Sequence, residues 1–192
     1  DNRLYTQQEV QLDNMKKRSY PIVWHSRKNR FVPLASPEMP ELRFQEQRNA
    51  EMALVFTEEP YGRYVTTEGT PHKDLYAVDL KTGDKKLIVK DLRGNPRISP
   101  EAGYIIWWSD PDTALFAWNA RRSEIVRLTD NHLAPFYDEE NDVPDFPDAH
   151  GLAGWLGGDE AMIVYDKYDL WKMDPNGKKN PERLTKGRET QT

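Results

Sequence analysis

Cysteine is absent from this 192-residue chain, which excludes disulfides, a thiol nucleophile and cysteine-ligated zinc while leaving the redox compartment open. Long apolar runs are absent as well. None approaches the roughly 18 residues that a spanning helix needs. The opening DNRLYTQQEV also lacks the apolar region of a signal peptide, so the expectation is a soluble chain without membrane insertion. Positive charge is in deficit: 27 basic against 32 acidic residues give a net charge of -5, a field that opposes nucleic acid and anionic lipid. The basic clusters Lys16, Lys17, Arg18 and Arg27, Lys28, Arg30 are short and read as solvated surface. Motifs for familiar chemistry are missing too, with no H-E-x-x-H for zinc and no G-x-x-x-x-G-K-[ST] for nucleotide phosphates. A Ser-His-Asp site would require His25, His72, His132 or His150 to meet a serine and a carboxylate, and nothing in their spacing indicates this. No catalytic, cofactor-binding or metal-ligating residue is assigned, and no cofactor is expected.

What the chain does contain is a repeat. Three apolar runs, ALVFT from Ala53, YIIWWS from Tyr104 and AMIVYD from Ala161, are each followed by an alternating segment: DLYAVDLKTG from Asp74, ALFAWNARRS from Ala114 and DLWKMDPNG from Asp169. Thr82-Gly83 and Asn176-Gly177 supply turn signals within the first and last of these. A third segment closes each unit, KKLIVK, EIVRLT and PERLT, the last two sharing Arg-Leu-Thr. Earlier in the chain, PIVWHS from Pro21 and RFVPLA from Arg30 read as the last strands of an incomplete preceding unit. Thr6 and Glu9 have capping-box spacing, which suggests a short helix or ordered arm over residues 6–18.

Repeats of about 40 residues built from short alternating strands predict an all-β chain of β-propeller blades, each a four-stranded antiparallel sheet. Residues 1–48 form an N-terminal arm with the last strands of a preceding blade. Three blades follow, at about 49–92, 93–136 and 152–187. Four units would just fit a small closed ring, but three blades plus a fraction favour a piece of a larger propeller. Such an open arc exposes sheet edges that self-associate or hold a partner. Trp107, Trp108, Phe116, Trp118, Tyr165 and Trp171 are expected to fill the spaces between sheets. Tyr61, Tyr64, Phe136, Tyr137 and Phe146 are left as loop-tip aromatics, the only candidates for a glycan platform.

The spacing from Leu75 to Leu115 is 40 residues, whereas that from Leu115 to Leu170 is 55. YDEENDVPDFPDAHG, residues 137–151, accounts for the difference and reads as an insertion between blades. An EF-hand loop counted from Asp138 would need glycine where Val143 stands, so that pattern fails. Asp138, Glu139, Glu140, Asp142, Asp145 and Asp148 could still converge on a cation by another geometry, against the plainer expectation of a solvated or domain-facing loop stiffened by Pro144 and Pro147.

NPRISPEAGYIIWWSD resembles the blade strand shared by TolB-like propellers and the propellers of the prolyl oligopeptidase family. The series LRGNPRISPEAGYIIWW, FYDEENDVPDFPDAHGLAGW, DEAMIVYDKYDLWKMDPNGKK and RLTKGR, within residues 49–188, resembles the propeller of large secreted bacterial serine peptidases of that family. The resemblance implies a non-catalytic propeller that gates and positions peptide substrate for a C-terminal α/β-hydrolase domain, in a periplasmic or extracellular setting. This chain departs from the whole-enzyme pattern, because it has no G-x-S-x-G nucleophile elbow; no triad residue and no substrate-binding glutamate carries over. The alternative is a stand-alone TolB-like scaffold that binds a protein or envelope component.

Overall fold

The computed structural model describes residues 12, 16–44, 51–62, 64, 71–130 and 132–190. The helix expected over residues 6–18 lies largely outside them. No helix among the described residues is long and apolar enough to cross a membrane. The chain is all-β and divides into two compact units, the first ending at Arg93 and the second beginning at Gly94.

In the first unit, β1 (Ile22–His25) and β2 (Arg30–Pro33) form a two-stranded antiparallel hairpin. Beside it stands a four-stranded antiparallel sheet of β3 (Glu41–Arg43), β4 (Met52–Thr57), β5 (His72–Asp79) and β6 (Lys85–Arg93), each strand next to its neighbour in sequence. Its first strand precedes the apolar run from which the repeat is counted. Alternation places Val55 and Ala53 of β4 and Val78 of β5 on one face, where they pack with Val32 and Leu34 of the hairpin segment.

The second unit contains two further four-stranded meanders. One comprises β7 (Arg97–Ile98), β8 (Tyr104–Ser109), β9 (Ala114–Asn119) and β10 (Glu124–Arg127); the other comprises β11 (Leu152–Trp155), β12 (Met162–Tyr165), β13 (Leu170–Met173) and β14 (Glu182–Arg183). Ile106, Ala117 and Leu128 meet Met162, Val164, Trp171 and Met173 in the core between these sheets. Trp107 and Phe116 stack on the opposite face of the β7–β10 sheet, with ring centroids 5.8 Å apart.

The same turn closes the third and fourth strands of every sheet. Asp79 accepts the backbone N–H groups of Lys81 and Thr82, Asn119 those of Arg121 and Arg122, and Asp174 those of Asn176, Lys178 and Lys179. A left-handed residue follows each time: Gly83, Ser123 and Gly177. Glycine is required at two of them by close approach as well as by φ. A Cβ at Gly83 would lie 2.8 Å from Val32 Cγ1, and one at Gly177 would overlap Val126 Cγ1.

Two aromatic placements differ from the sequence expectation. Tyr165 does not fill an inter-sheet space: strand alternation turns Met162 and Val164 inward and leaves Tyr165 facing out, 42% exposed. Phe136 is no loop-tip aromatic either, because it is buried edge-on against Trp171 at 5.8 Å. Trp107, Trp118 and Trp171 are buried and Trp108 partly so.

Candidate functional site

The polar groups buried among the sheets are engaged in holding the backbone. In the shared Arg-Leu-Thr segments, Thr129 Oγ1 accepts the Leu115 N–H at 2.8 Å and Thr185 Oγ1 accepts the Leu170 N–H at 2.9 Å. In each case the preceding leucine bonds the same strand start, Leu128 N to Leu115 O and Leu184 N to Leu170 O. A hydroxyl thus continues the ladder where the fourth strand ends. In the β12–β13 turn, Asp166 accepts bonds from Tyr168 N, Asp169 N, Trp171 Nε1 and Arg188, while Asp169 accepts from Thr185 Oγ1, Gly187 N and Arg188 N. Burial pushes both carboxyls up, but these donors outweigh it and hold both below the usual carboxylate range. Asp159 likewise accepts from Ser99 Oγ, Glu101 N and Gly103 N. Ser99 and Ser109, which bonds Asp112, therefore serve the backbone framework.

The histidines fall in separate settings. His25 Nε2 bonds the Leu80 carbonyl at 3.1 Å, and the His132 N–H is bound by Asp130 Oδ1. At the start of β5, His72 Nδ1 faces Asp91 and its Nε2 accepts the Arg93 Nε–H at 2.9 Å. Tyr64 stacks on His72 with centroids 5.0 Å apart, and Tyr61 donates to Asp74 at 2.5 Å. Burial, and then the Asp74 bond and charge, push the Tyr61 phenol well above its ordinary value, which suits a permanent donor rather than a base. Among the described residues no group of three or more histidine, aspartate or glutamate side chains is placed to hold a metal ion.

The acidic insertion is pinned at its neck. Tyr137 pairs with Ala149 in an antiparallel bridge, reinforced by Asp138 N to Asp148 O at 2.9 Å and His150 N to Phe136 O at 3.0 Å. Beyond the neck, Asp138 and Asp145 bind N–H groups one or two residues away and Glu140 pairs with Lys167. The six carboxylates therefore project from local turns.

The most exposed apolar surface belongs to the β1–β2 hairpin. Val23 and Val32 turn toward the core, so the opposite face carries Ile22 at 56%, Trp24 at 58% and Phe31 at 60% exposure, with Pro33 beside them. Trp24 and Phe31 are cross-strand partners whose rings stack at 6.0 Å. Arg27, Lys28 and Arg30 surround the hairpin tip. Sequence reasoning missed this face, although PIVWHS carries a signal: it aligns with LFAWNA of β9, which puts Trp24 level with Trp118.

These features define an all-β protein of meandering four-stranded antiparallel sheets with structural polar turns and one uncovered aromatic face. No protein-family model and no curated protein matches the chain. Among solved structures it is distantly similar to TolB from Acinetobacter baumannii, at a TM-score of 0.43 and 14% identity over 88% of this chain. It is also distantly similar to an oligogalacturonate lyase in complex with manganese, at a TM-score of 0.40 and 16% identity over 70% of this chain. The chain spans 38% of the length of each.

Proposed function

We propose that the chain is a propeller-type binding scaffold whose partner is a protein or an envelope component. The observation that carries this reading is the uncovered face of Ile22, Trp24 and Phe31, since a tryptophan and a phenylalanine held stacked in water are characteristic of docking anchors. The polar turns fit it too, because they lock the sheets as a rigid frame behind that face. A periplasmic or extracellular setting accompanies the TolB-like strand motif. The test is a photo-crosslinking residue placed at position 24 or 31 of the protein made in its own cells. An adduct with one defined partner at both positions, and none from a control at Lys178, is the expected result; absence of adducts from either position would sink the reading.

The peptidase-accessory reading, with the sheets gating peptides for a C-terminal α/β-hydrolase domain, rests on the motif series in residues 49–188. A native reading frame that continues into G-x-S-x-G, then Asp and His, together with peptide hydrolysis by the longer protein, would favour it.

A further inference from the structure

The β1–β2 hairpin repeats the β9–β10 hairpin position by position. Trp24 pairs with Phe31 as Trp118 pairs with Ile125, and Val23 pairs with Val32 as Ala117 pairs with Val126. The residue two past each second-strand valine bonds back in the same way, Leu34 N to Pro21 O and Leu128 N to Leu115 O. Each valine meets the left-handed glycine of the next sheet, Val32 at Gly83 and Val126 at Gly177. Even the turn contacts correspond, with His25 reaching Leu80 and Asn119 reaching Asn176.

One difference separates them. The outer edge of β9 is paired with β8, so that Ile105 lies across from Trp118 and Trp107 across from Phe116, and Trp118 is buried. Among the described residues β1 has no strand on that edge, and Trp24 stands in solvent. An edge of unpaired backbone groups beside an apolar face is the arrangement that accepts an added strand.

The geometry points to β1 as an acceptor for an antiparallel strand supplied by a partner polypeptide. This rests on the docking face proposed above and names how the partner sits. The register copied from β8 requires an alternating segment that sets branched or aromatic side chains opposite Trp24 and Ile22, as Ile105 and Trp107 stand opposite Trp118 and Phe116. Charge fixes its direction as well. In the β7–β10 sheet, Ala120 N bonds Gly103 O, which brings the stretch before β8, with Glu101, to a turn carrying Arg121 and Arg122. The β1–β2 tip carries Arg27, Lys28 and Arg30, so the incoming strand has an acidic residue just before its first paired position.

The test uses the 192-residue chain and a synthetic peptide of residues 97–113, the chain's own strand-turn-strand segment, as the probe. Hydrogen exchange at Ile22–His25 should slow by about tenfold or more when the peptide is added. Trp24→Ser with Phe31→Ser, exposed positions whose circular dichroism should not change, should weaken the peptide by about tenfold or more, and a Glu101→Lys peptide should bind less tightly. Equal protection by a scrambled peptide, or none by the native one, overturns strand addition. So does protection already present in the free chain, from its own residues 1–11 or from a second copy. If strand addition fails while crosslinks from positions 24 and 31 persist, the docking face stands and only the strand mode is lost.

Discussion

The carboxylates of the β12–β13 turn and those of the acidic insertion are the same chemical group in opposite circumstances. Asp166 and Asp169 lie among backbone N–H groups, an indole and arginines, every lone pair answered; Asp142, Asp145 and Asp148 stand on an exposed loop, where water answers most of theirs. A cluster of acidic letters therefore says little about a site until its donors are known. Sequence density of charge pointed to residues 137–151, whereas the structure concentrates its bonded carboxylates some twenty residues later.

Mutation should separate the two regions sharply. Asp166→Ala strands the Trp171 Nε1–H, Arg188 and two backbone donors, and should destabilise the protein by about 3 kcal/mol in urea unfolding. A loss below about 0.5 kcal/mol would erase the contrast. Acid should act through the same turn. Because Asp166 and Asp169 have lowered folded-state pKa values, the stability they confer is present above about pH 4, the ordinary carboxylate value, and is lost as pH falls through their folded-state values. Unfolding midpoints should therefore hold steady from neutral pH to about pH 5 and then drop, less steeply in Asp166→Asn.

A smaller effect should come from the hydroxyl stations. Thr129→Val and Thr185→Val each leave one strand-start N–H without its acceptor, at about 1 kcal/mol apiece, and the two losses should add. Least of all should follow from the insertion: Glu140→Gln, which removes an exposed pair with Lys167, should change stability by about 0.5 kcal/mol or less and fade further in salt.

Much of the sheet framework is legible in the sequence because its central strands are long and apolar. ALVFT and YIIWWS lie within β4 and β8, and the repeated Arg-Leu-Thr marks a real bond, the threonine on the next strand's amide. Illegible were the short first strands, such as Glu41–Arg43 and Arg97–Ile98, which are too brief for periodicity and exist only through pairing. Phe136 was misjudged because Pro135 and the acidic residues after it mark a loop, while its burial depends on Trp171 far along the chain. Tyr165 failed for a different reason, since alternation was not counted from the core-facing Met162. The hairpin face was hidden because PIVWHS is apolar on both sides. Which side meets solvent depends on whether a neighbouring strand is there, and local residues do not encode that.

The bridged neck of the insertion has a practical side. With Tyr137 paired to Ala149, the ends of the segment are held at a fixed separation by two strands of backbone bonding, whatever lies between them. Loop closure then costs only about 0.6 kcal/mol for each doubling in length. Residues 139–147 are thus a natural port for grafting, where an epitope tag or a fluorescent probe can be spliced in while the sheets on either side keep their register.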